Sequence, residues 1–140
     1  MVEIIKNLYL CSWSDAQDLA PTFDNLLIVN CTKDLRSLTV GTYRVAIDDH
    51  RRHEDTLKLN EQILEVTEKI HNHLASGPVI VHCLAGRQRS AAVVASYLMI
   101  YHHLDVPGVI DFIKSKKREA FFPEINFIET LNYVKDLMNE

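Results

Sequence analysis

The chain has 140 residues, of which 47% are hydrophobic and 24% charged, a composition typical of one folded domain that excludes a disordered chain. A formal net charge of −4 argues against a nucleic-acid-binding surface, so we expect no stable nucleic-acid partner. Three cysteines are an odd number for a disulfide framework and favour a reducing compartment, the cytoplasm, with the nucleus left open. No apolar run is long enough to span a membrane, and the first ten residues are expected to be a poor signal peptide.

Short apolar runs in the first half of the chain predict β-strands. Strands are expected at residues 2–10, 26–29 and 43–47. Between the first two, Ser14 is predicted to cap a short helix at residues 15–19.

The second half of the chain alternates helices with one strand. Apolar residues at helical spacing predict a helix from residue 59 to about residue 76, followed by an apolar strand at 79–81. Further helices are expected at 90–103, 106–116 and 124–138. This order indicates an α/β fold: one domain, residues 1–140, with a mostly parallel central sheet flanked by helices on both faces. Ligands bind at the carboxyl ends of the strands of such sheets.

The polar loop at residues 82–89 follows the apolar strand and precedes a helix. Its backbone N–H groups are predicted to curl around one centre, where the start of the helix adds its own unpaired donors. Gly86 permits the close backbone approach that such a curl needs. A phosphate group fits this environment. The predicted substrate-binding residues are Leu84, Ala85, Gly86, Arg87, Gln88 and Arg89.

Cys83 begins this loop and Arg89 ends it. A free thiol, with a pKa of about 8.5, is mostly protonated at neutral pH, but donors that bind phosphate also stabilise a thiolate. The Arg89 guanidinium can hold two phosphate oxygens. Ser90 is expected to cap the helix and to donate a hydrogen bond towards the sulfur. By strand alternation, the His82 side chain is expected to point away from the loop centre and support the cysteine through the backbone.

The segment from His82 to Ser90 looks like the signature loop of the protein tyrosine phosphatase superfamily, and the whole chain resembles the dual-specificity (VH1-like) branch. The segments that carry this second resemblance are residues 7–10, 15–16, 27–32 and 118–127. Cys11 departs from the pattern, because the family usually has glycine there. The resemblance implies a phosphatase that acts on phosphotyrosine, phosphoserine and phosphothreonine proteins through a phosphocysteine, with a shallow pocket and no metal or organic cofactor.

A phosphatase of this kind needs a carboxyl group to protonate the leaving oxygen. Asp48 and Asp49 follow the strand predicted at residues 43–47, whereas Asp34 and Asp55 have no strand directly before them. The family pattern Ile-x-Val-x-Asp aligns with Asp49, which is therefore the predicted catalytic acid, with Asp48 as its competitor. The alternative is that both carboxylates are merely solvated loop residues.

The loop after Asp49 is predicted to be longer than usual in the family, with the extra residues at 50–54. Its basic residues would form, with Arg87, a basic rim for anionic substrates, although solvated loop charges are the commoner case. The members of this predicted rim are His50, Arg51, Arg52 and His53.

Other readings of the same loop stay open. They are a phosphatase for phosphoinositides or other lipid phosphates, an RNA 5′-triphosphatase and a non-catalytic phosphate-binding module. The helical histidines lack partner carboxylates at metal spacing, so no metal site is predicted. Cys11 and Cys31 are expected to be buried apolar residues, with Cys31 also a candidate to capture an oxidised Cys83.

Overall fold

The computed structural model describes residues 2–49 and 52–140. Its centre is a five-stranded sheet in the order β1-β2-β5-β3-β4, in which only the β1–β2 pair is antiparallel. The predicted mostly parallel α/β fold is confirmed. The strands are β1 (Val2–Ile5), β2 (Leu8–Cys11), β3 (Leu27–Asn30), β4 (Tyr43–Arg44) and β5 (Val79–His82).

The helices follow the predicted order. A 3-10 turn at Ala20–Thr22 separates the first helix from β3. No helix within the described residues has the length and apolar character that would let it cross a membrane. The helices are α1 (Trp13–Leu19), α2 (His53–Leu74), α3 (Arg89–His102), α4 (Val106–Lys116) and α5 (Ile128–Met138).

Three predicted elements differ at their boundaries. The strand predicted at residues 2–10 is two strands, because the chain reverses at Asn7, which has a φ of 69°. The predicted cap Ser14 is wrong: Ser12 caps α1, and its hydroxyl accepts a hydrogen bond from the Asp15 amide at 3.1 Å. The strand predicted at 43–47 is paired only at β4, because its neighbour β3 ends at Asn30, the residue that pairs with Arg44.

The two long helical predictions also shift. Helix α2 begins at His53 rather than at residue 59. Its first turn is polar and has no apolar spacing from which a helix could be predicted. Helix α5 begins at Ile128 rather than at residue 124. The first shift places helix where loop is predicted, and the second places loop where helix is predicted. Both lie next to the carboxyl edge of the sheet.

Both faces of the sheet are covered, as predicted. Strand β5 is buried along its whole length between β2 and β3. The main core packs the sheet against helices α2 to α5, and a smaller core packs its other face against α1. Because β5 is central, the loop that follows it lies at the middle of the carboxyl edge.

Candidate active site

The candidate site forms where β5 ends and α3 begins. Cys83 follows the last residue of β5, and residues 83–88 then close onto the N-terminus of α3 at Arg89. The Cys83 side chain lies at the bottom of this loop and is only 3% exposed.

Four groups of the loop surround the Cys83 sulfur. The Gly86 amide donates a hydrogen bond to Sγ at 3.3 Å, and the Ser90 hydroxyl lies 3.1 Å from it. Burial by itself raises the pKa of the thiol, but the Ser90 hydroxyl and amide, the Arg89 charge and the Gly86 amide together lower the pKa below its usual range. The thiolate is therefore more populated near neutral pH than in a free cysteine.

Gly86 is the residue on which the shape of the loop depends. Its φ is +72°, a conformation that residues with a side chain rarely adopt. A Cβ atom here would lie 2.6 Å from Nζ of the buried Lys117 and 2.7 Å from the Cys11 carbonyl carbon and oxygen. The loop is held from the other side by the Trp13 amide, which donates to the Leu84 carbonyl at 3.0 Å.

Arg89 connects the loop to the segment after β4. One terminal nitrogen donates to the Ile47 carbonyl at 3.2 Å. Within residues 2–49 and 52–140, its buried Nε has no acceptor. An unpaired buried donor costs about 1–3 kcal/mol, and an oxyanion bound beside it would supply the missing acceptor.

The two neighbouring carboxylates meet different partners. An Asp49 carboxylate oxygen accepts a hydrogen bond from the Asn126 side-chain amide at 2.8 Å. The Asp48 carboxylate instead forms an ion pair with Lys33 at 2.8 Å. Of the two, Asp49 alone lines the cavity that contains Cys83, whereas both line the adjacent cleft.

That cavity has a volume of about 270 Å³ and gathers residues from three parts of the chain. It is lined by Asp49, Cys83, Leu84, Ala85, Arg87, Gln88, Arg89, Phe122, Pro123 and Asn126.

The segment between α4 and α5 forms the second wall of the cavity. The Gln88 side-chain amide donates to the carbonyls of Phe122 (3.2 Å) and Glu124 (2.7 Å), and its oxygen accepts from the Asn126 amide at 3.0 Å. Gln88 thus binds this wall with its side chain, so that only its backbone is available to a bound oxyanion.

Sequence reasoning missed Phe122, Pro123 and Asn126 as lining residues. A helix is predicted from residue 124 because proline, here Pro123, is a common first residue of a helix. The structure has a loop there, and α5 begins at Ile128. The one signal available was the family resemblance of residues 118–127, which carried no role for these side chains.

His82 and Ser90 support the cysteine in different ways. The His82 ring is fully buried with Nδ1 3.1 Å from the Cys83 carbonyl oxygen, and burial lowers its pKa. Ser90 is not the helix cap that was predicted. Gln88 occupies the cap position, and Ser90 lies within α3 with its hydroxyl against the sulfur.

The predicted long basic loop is corrected in part. His53 belongs to α2 and lies 2.9 Å from a Glu129 carboxylate oxygen of α5, so it is drawn away from a basic rim. Arg52 is exposed at the N-cap of α2, and Arg87 is exposed in the loop between β5 and α3. His50 and Arg51 lie outside the described residues.

All three cysteines are unpaired and buried. Burial raises the pKa of Cys11 to about 11, and burial together with the nearby Cys83 raises that of Cys31 well above its usual value. Across residues 2–49 and 52–140, no three His, Cys, Asp or Glu side chains cluster in a way that would hold a metal ion.

Comparison with known proteins gives a consistent family. The family described as dual specificity phosphatase, catalytic domain, matches residues 8–136. "Putative tyrosine phosphatase 123R" of Invertebrate iridescent virus 6 is 32% identical over 139 residues, which cover 98% of this chain and 93% of the viral protein. Dual specificity protein phosphatase 9 of Homo sapiens is 31% identical over 147 residues, 99% of this chain but 37% of the human protein.

Tyrosine-protein phosphatase yvh1 of Schizosaccharomyces pombe is 30% identical, and the match covers 92% of this chain and 39% of the yeast protein. The chain thus spans less than half the length of these yeast and human relatives. The crystal structure of human DUSP28 superposes with a TM-score of 0.85 at 24% identity, over 99% of this chain and 98% of that one, a likeness that shows the fold. Because the family match extends over nearly the whole chain, the chain belongs to the dual specificity phosphatase family and is a cysteine-based protein phosphatase.

Proposed function

We propose that the chain hydrolyses phosphate monoesters of phosphotyrosine, phosphoserine and phosphothreonine in protein substrates, with Cys83 as nucleophile, Arg89 as phosphate-binding cation and Asp49 as general acid and base. Residues 1–140 act as one catalytic domain. The observation that carries the proposal is the environment of Cys83: a sulfur with a lowered pKa at the floor of a cavity that Arg89 and Asp49 also line.

The first step transfers the phosphoryl group to sulfur. The Cys83 thiolate attacks phosphorus in line with the ester oxygen, so that a P–S bond forms as the P–O bond breaks. The amides of residues 84–89 and the Arg89 guanidinium hold the three other phosphate oxygens, on which charge is spread in the transition state. Asp49 gives its proton to the leaving oxygen, and Asn126 keeps the Asp49 carboxyl in place.

The second step regenerates the enzyme. Asp49, now ionised, removes a proton from a water molecule that attacks the phosphocysteine. The P–S bond breaks, inorganic phosphate leaves, and Cys83 returns to the thiolate that its Ser90 and Gly86 hydrogen bonds favour.

Replacing the nucleophile tests this assignment. Cys83→Ser should lower kcat by about 10³-fold or more, since a serine hydroxyl is almost wholly protonated near neutral pH. Binding of inorganic phosphate, followed by calorimetry, should persist because the loop amides and Arg89 remain. Turnover of phosphopeptides by the pure serine variant at a rate near that of the wild type would disprove the role of Cys83.

We also propose that the protein works in the cytoplasm. A thiolate with a lowered pKa is readily oxidised, and the three buried thiols are unpaired, which suits a reducing compartment. Fluorescence microscopy of the tagged protein tests this placement, and a secreted or lumenal signal would contradict it.

A further inference from the structure

Two large apolar side chains stand exposed at the mouth of the cavity. Phe122 is 60% exposed and Leu84 is 59% exposed. A single exposed apolar residue needs no explanation in a folded protein. These two, however, both line the cavity whose floor is Cys83.

The Phe122 backbone is fixed to the phosphate-binding loop. Its carbonyl accepts the Gln88 side-chain amide at 3.2 Å, and its own amide donates to the Glu119 carbonyl at 3.2 Å. The preceding residue, Phe121, is buried and donates its amide to the Arg87 carbonyl at 2.8 Å. The chain therefore buries one phenylalanine and exposes the next one, on a well-anchored backbone, at the cavity that Cys83 also lines.

We propose that Phe122 makes the enzyme selective for phosphotyrosine by packing against the phenyl ring of the substrate, with Leu84 as a second apolar contact. The inference rests on the proposed function, because it needs the phosphate seated above Cys83. In phosphotyrosine a ring separates the phosphate from the peptide, so that the ring lies at the mouth when the phosphate is at the floor. Phosphoserine and phosphothreonine carry no ring to place against Phe122.

The size of the cavity agrees with this substrate. Its volume of about 270 Å³ lies just below the range of roughly 300–1,000 Å³ for pockets that enclose drug-sized ligands. It has room for a phosphate and one aromatic ring. An aromatic pair in contact stabilises a complex beyond the burial of its surface, so that its loss is measurable as a fall in kcat/KM.

The chemistry of the mouth argues against a phosphoinositide headgroup as the occupant. Such a headgroup carries hydroxyls and further phosphates, which require cations and hydrogen-bond donors. Within the described residues that line the cavity, Arg87 is the one cationic residue besides Arg89, whereas Leu84, Ala85, Phe122 and Pro123 are apolar.

The experiment compares two peptides of one sequence, phosphorylated on tyrosine or on threonine, and measures kcat/KM for the wild type and for variants. Phe122→Ala should lower kcat/KM for the phosphotyrosine peptide about tenfold, mainly through KM, and that for the phosphothreonine peptide less than about twofold. Each variant is compared with the wild type on the same peptide, so the ratio of their kcat/KM values does not depend on the different leaving groups of phosphotyrosine and phosphothreonine. Phe122→Tyr, which keeps the ring, should restore the selectivity.

Leu64→Ala is the matched control, since Leu64 is an equally exposed apolar residue (54%) on α2, away from the cavity. It should leave both values unchanged. Equal losses on the two peptides with Phe122→Ala would overturn the proposal and assign Phe122 a structural role. The same variants are also assayed on vesicles containing a phosphatidylinositol phosphate, and a loss confined to those vesicles would overturn the proposal in favour of a lipid substrate. If the wild type hydrolysed neither peptide, the proposed function itself would fail, which is a separate outcome.

Discussion

Two adjacent residues of the same type, Asp48 and Asp49, are separated by their hydrogen-bond partners. Asp49 accepts the Asn126 amide at the cavity, and Asp48 pairs with Lys33 at the surface. The Lys33 side chain is 42% exposed and that of Asp48 is 32% exposed. Solvent screens an ion pair of this kind, so it contributes little to stability. The two carboxylates should therefore differ in their effect on catalysis far more than in their effect on folding.

Turnover of two kinds of phosphate ester tests that difference. The leaving oxygen of an alkyl phosphate needs the proton of a general acid, which the proposal assigns to Asp49. Asp49→Asn should therefore lower kcat for an alkyl phosphate about 100-fold or more. The loss in the phosphorylation step should be smaller for an aryl phosphate, whose leaving group departs with less help.

Asp48→Asn is the control and should leave kcat for both esters near the wild-type value. If Asp48→Asn lost turnover of the alkyl phosphate and Asp49→Asn did not, the two roles would be exchanged. If both variants kept it, the acid would be another carboxylate, with Asp55 next to be tested.

At the scale of the element, the loop between β5 and α3 depends on one glycine. Gly86→Ala would force a side chain into a left-handed backbone conformation, at about 1–2 kcal/mol, and against the carbonyl of Cys11. Overpacking of this kind adds roughly 1–3 kcal/mol. We expect kcat/KM to fall about 100-fold or more, because displacement of the loop moves the Gly86 amide away from the Cys83 sulfur.

Gly41→Ala provides the comparison, since a Cβ at Gly41 meets nothing within 4 Å. Steady-state kinetics and urea unfolding of both variants should show a change only for Gly86→Ala. Wild-type activity in Gly86→Ala would mean that the loop tolerates another conformation.

At the scale of the whole molecule, the pH dependence of stability should distinguish Cys83 from Cys11. The pKa of Cys83 is lowered in the folded protein, so its ionisation stabilises the fold as pH rises from the folded pKa to the usual pKa of a free thiol. The pKa of Cys11 is raised to about 11, so up to about pH 8 this thiol is mostly protonated in both states and its contribution is nearly constant.

The free energy of unfolding in urea, measured under reducing conditions at pH 6, 7 and 8, tests this coupling. The difference between wild type and Cys83→Ser should grow with pH, by up to about 1.4 kcal/mol for each unit by which the pKa is lowered. The difference between wild type and Cys11→Ser should stay level over the same range. A level difference for Cys83→Ser as well would show that the fold does not stabilise the thiolate.

The sequence alone determined the order of strands and helices, and it places Cys83 and Arg89 at the two ends of one loop. Buried strands and amphipathic helices show their periodicity locally, so the α/β order could be predicted, with errors mainly at boundaries such as the polar first turn of α2. Cys83, Gly86 and Arg89 lie in one short segment, where spacing along the chain nearly fixes spacing in space. That is why residues 82–90 by themselves predict a phosphate-binding loop.

Only the tertiary structure decided what stands around that loop. Asp49 meets Asn126, and Gln88 anchors the wall that carries Phe122, through contacts between residues far apart in the chain. Local pattern carries no information on such pairs, because they depend on how the α4–α5 segment packs across the carboxyl edge of the sheet. The choice of Asp49 over Asp48 rested on family resemblance in the sequence, and in the structure it rests on which carboxylate faces the cavity.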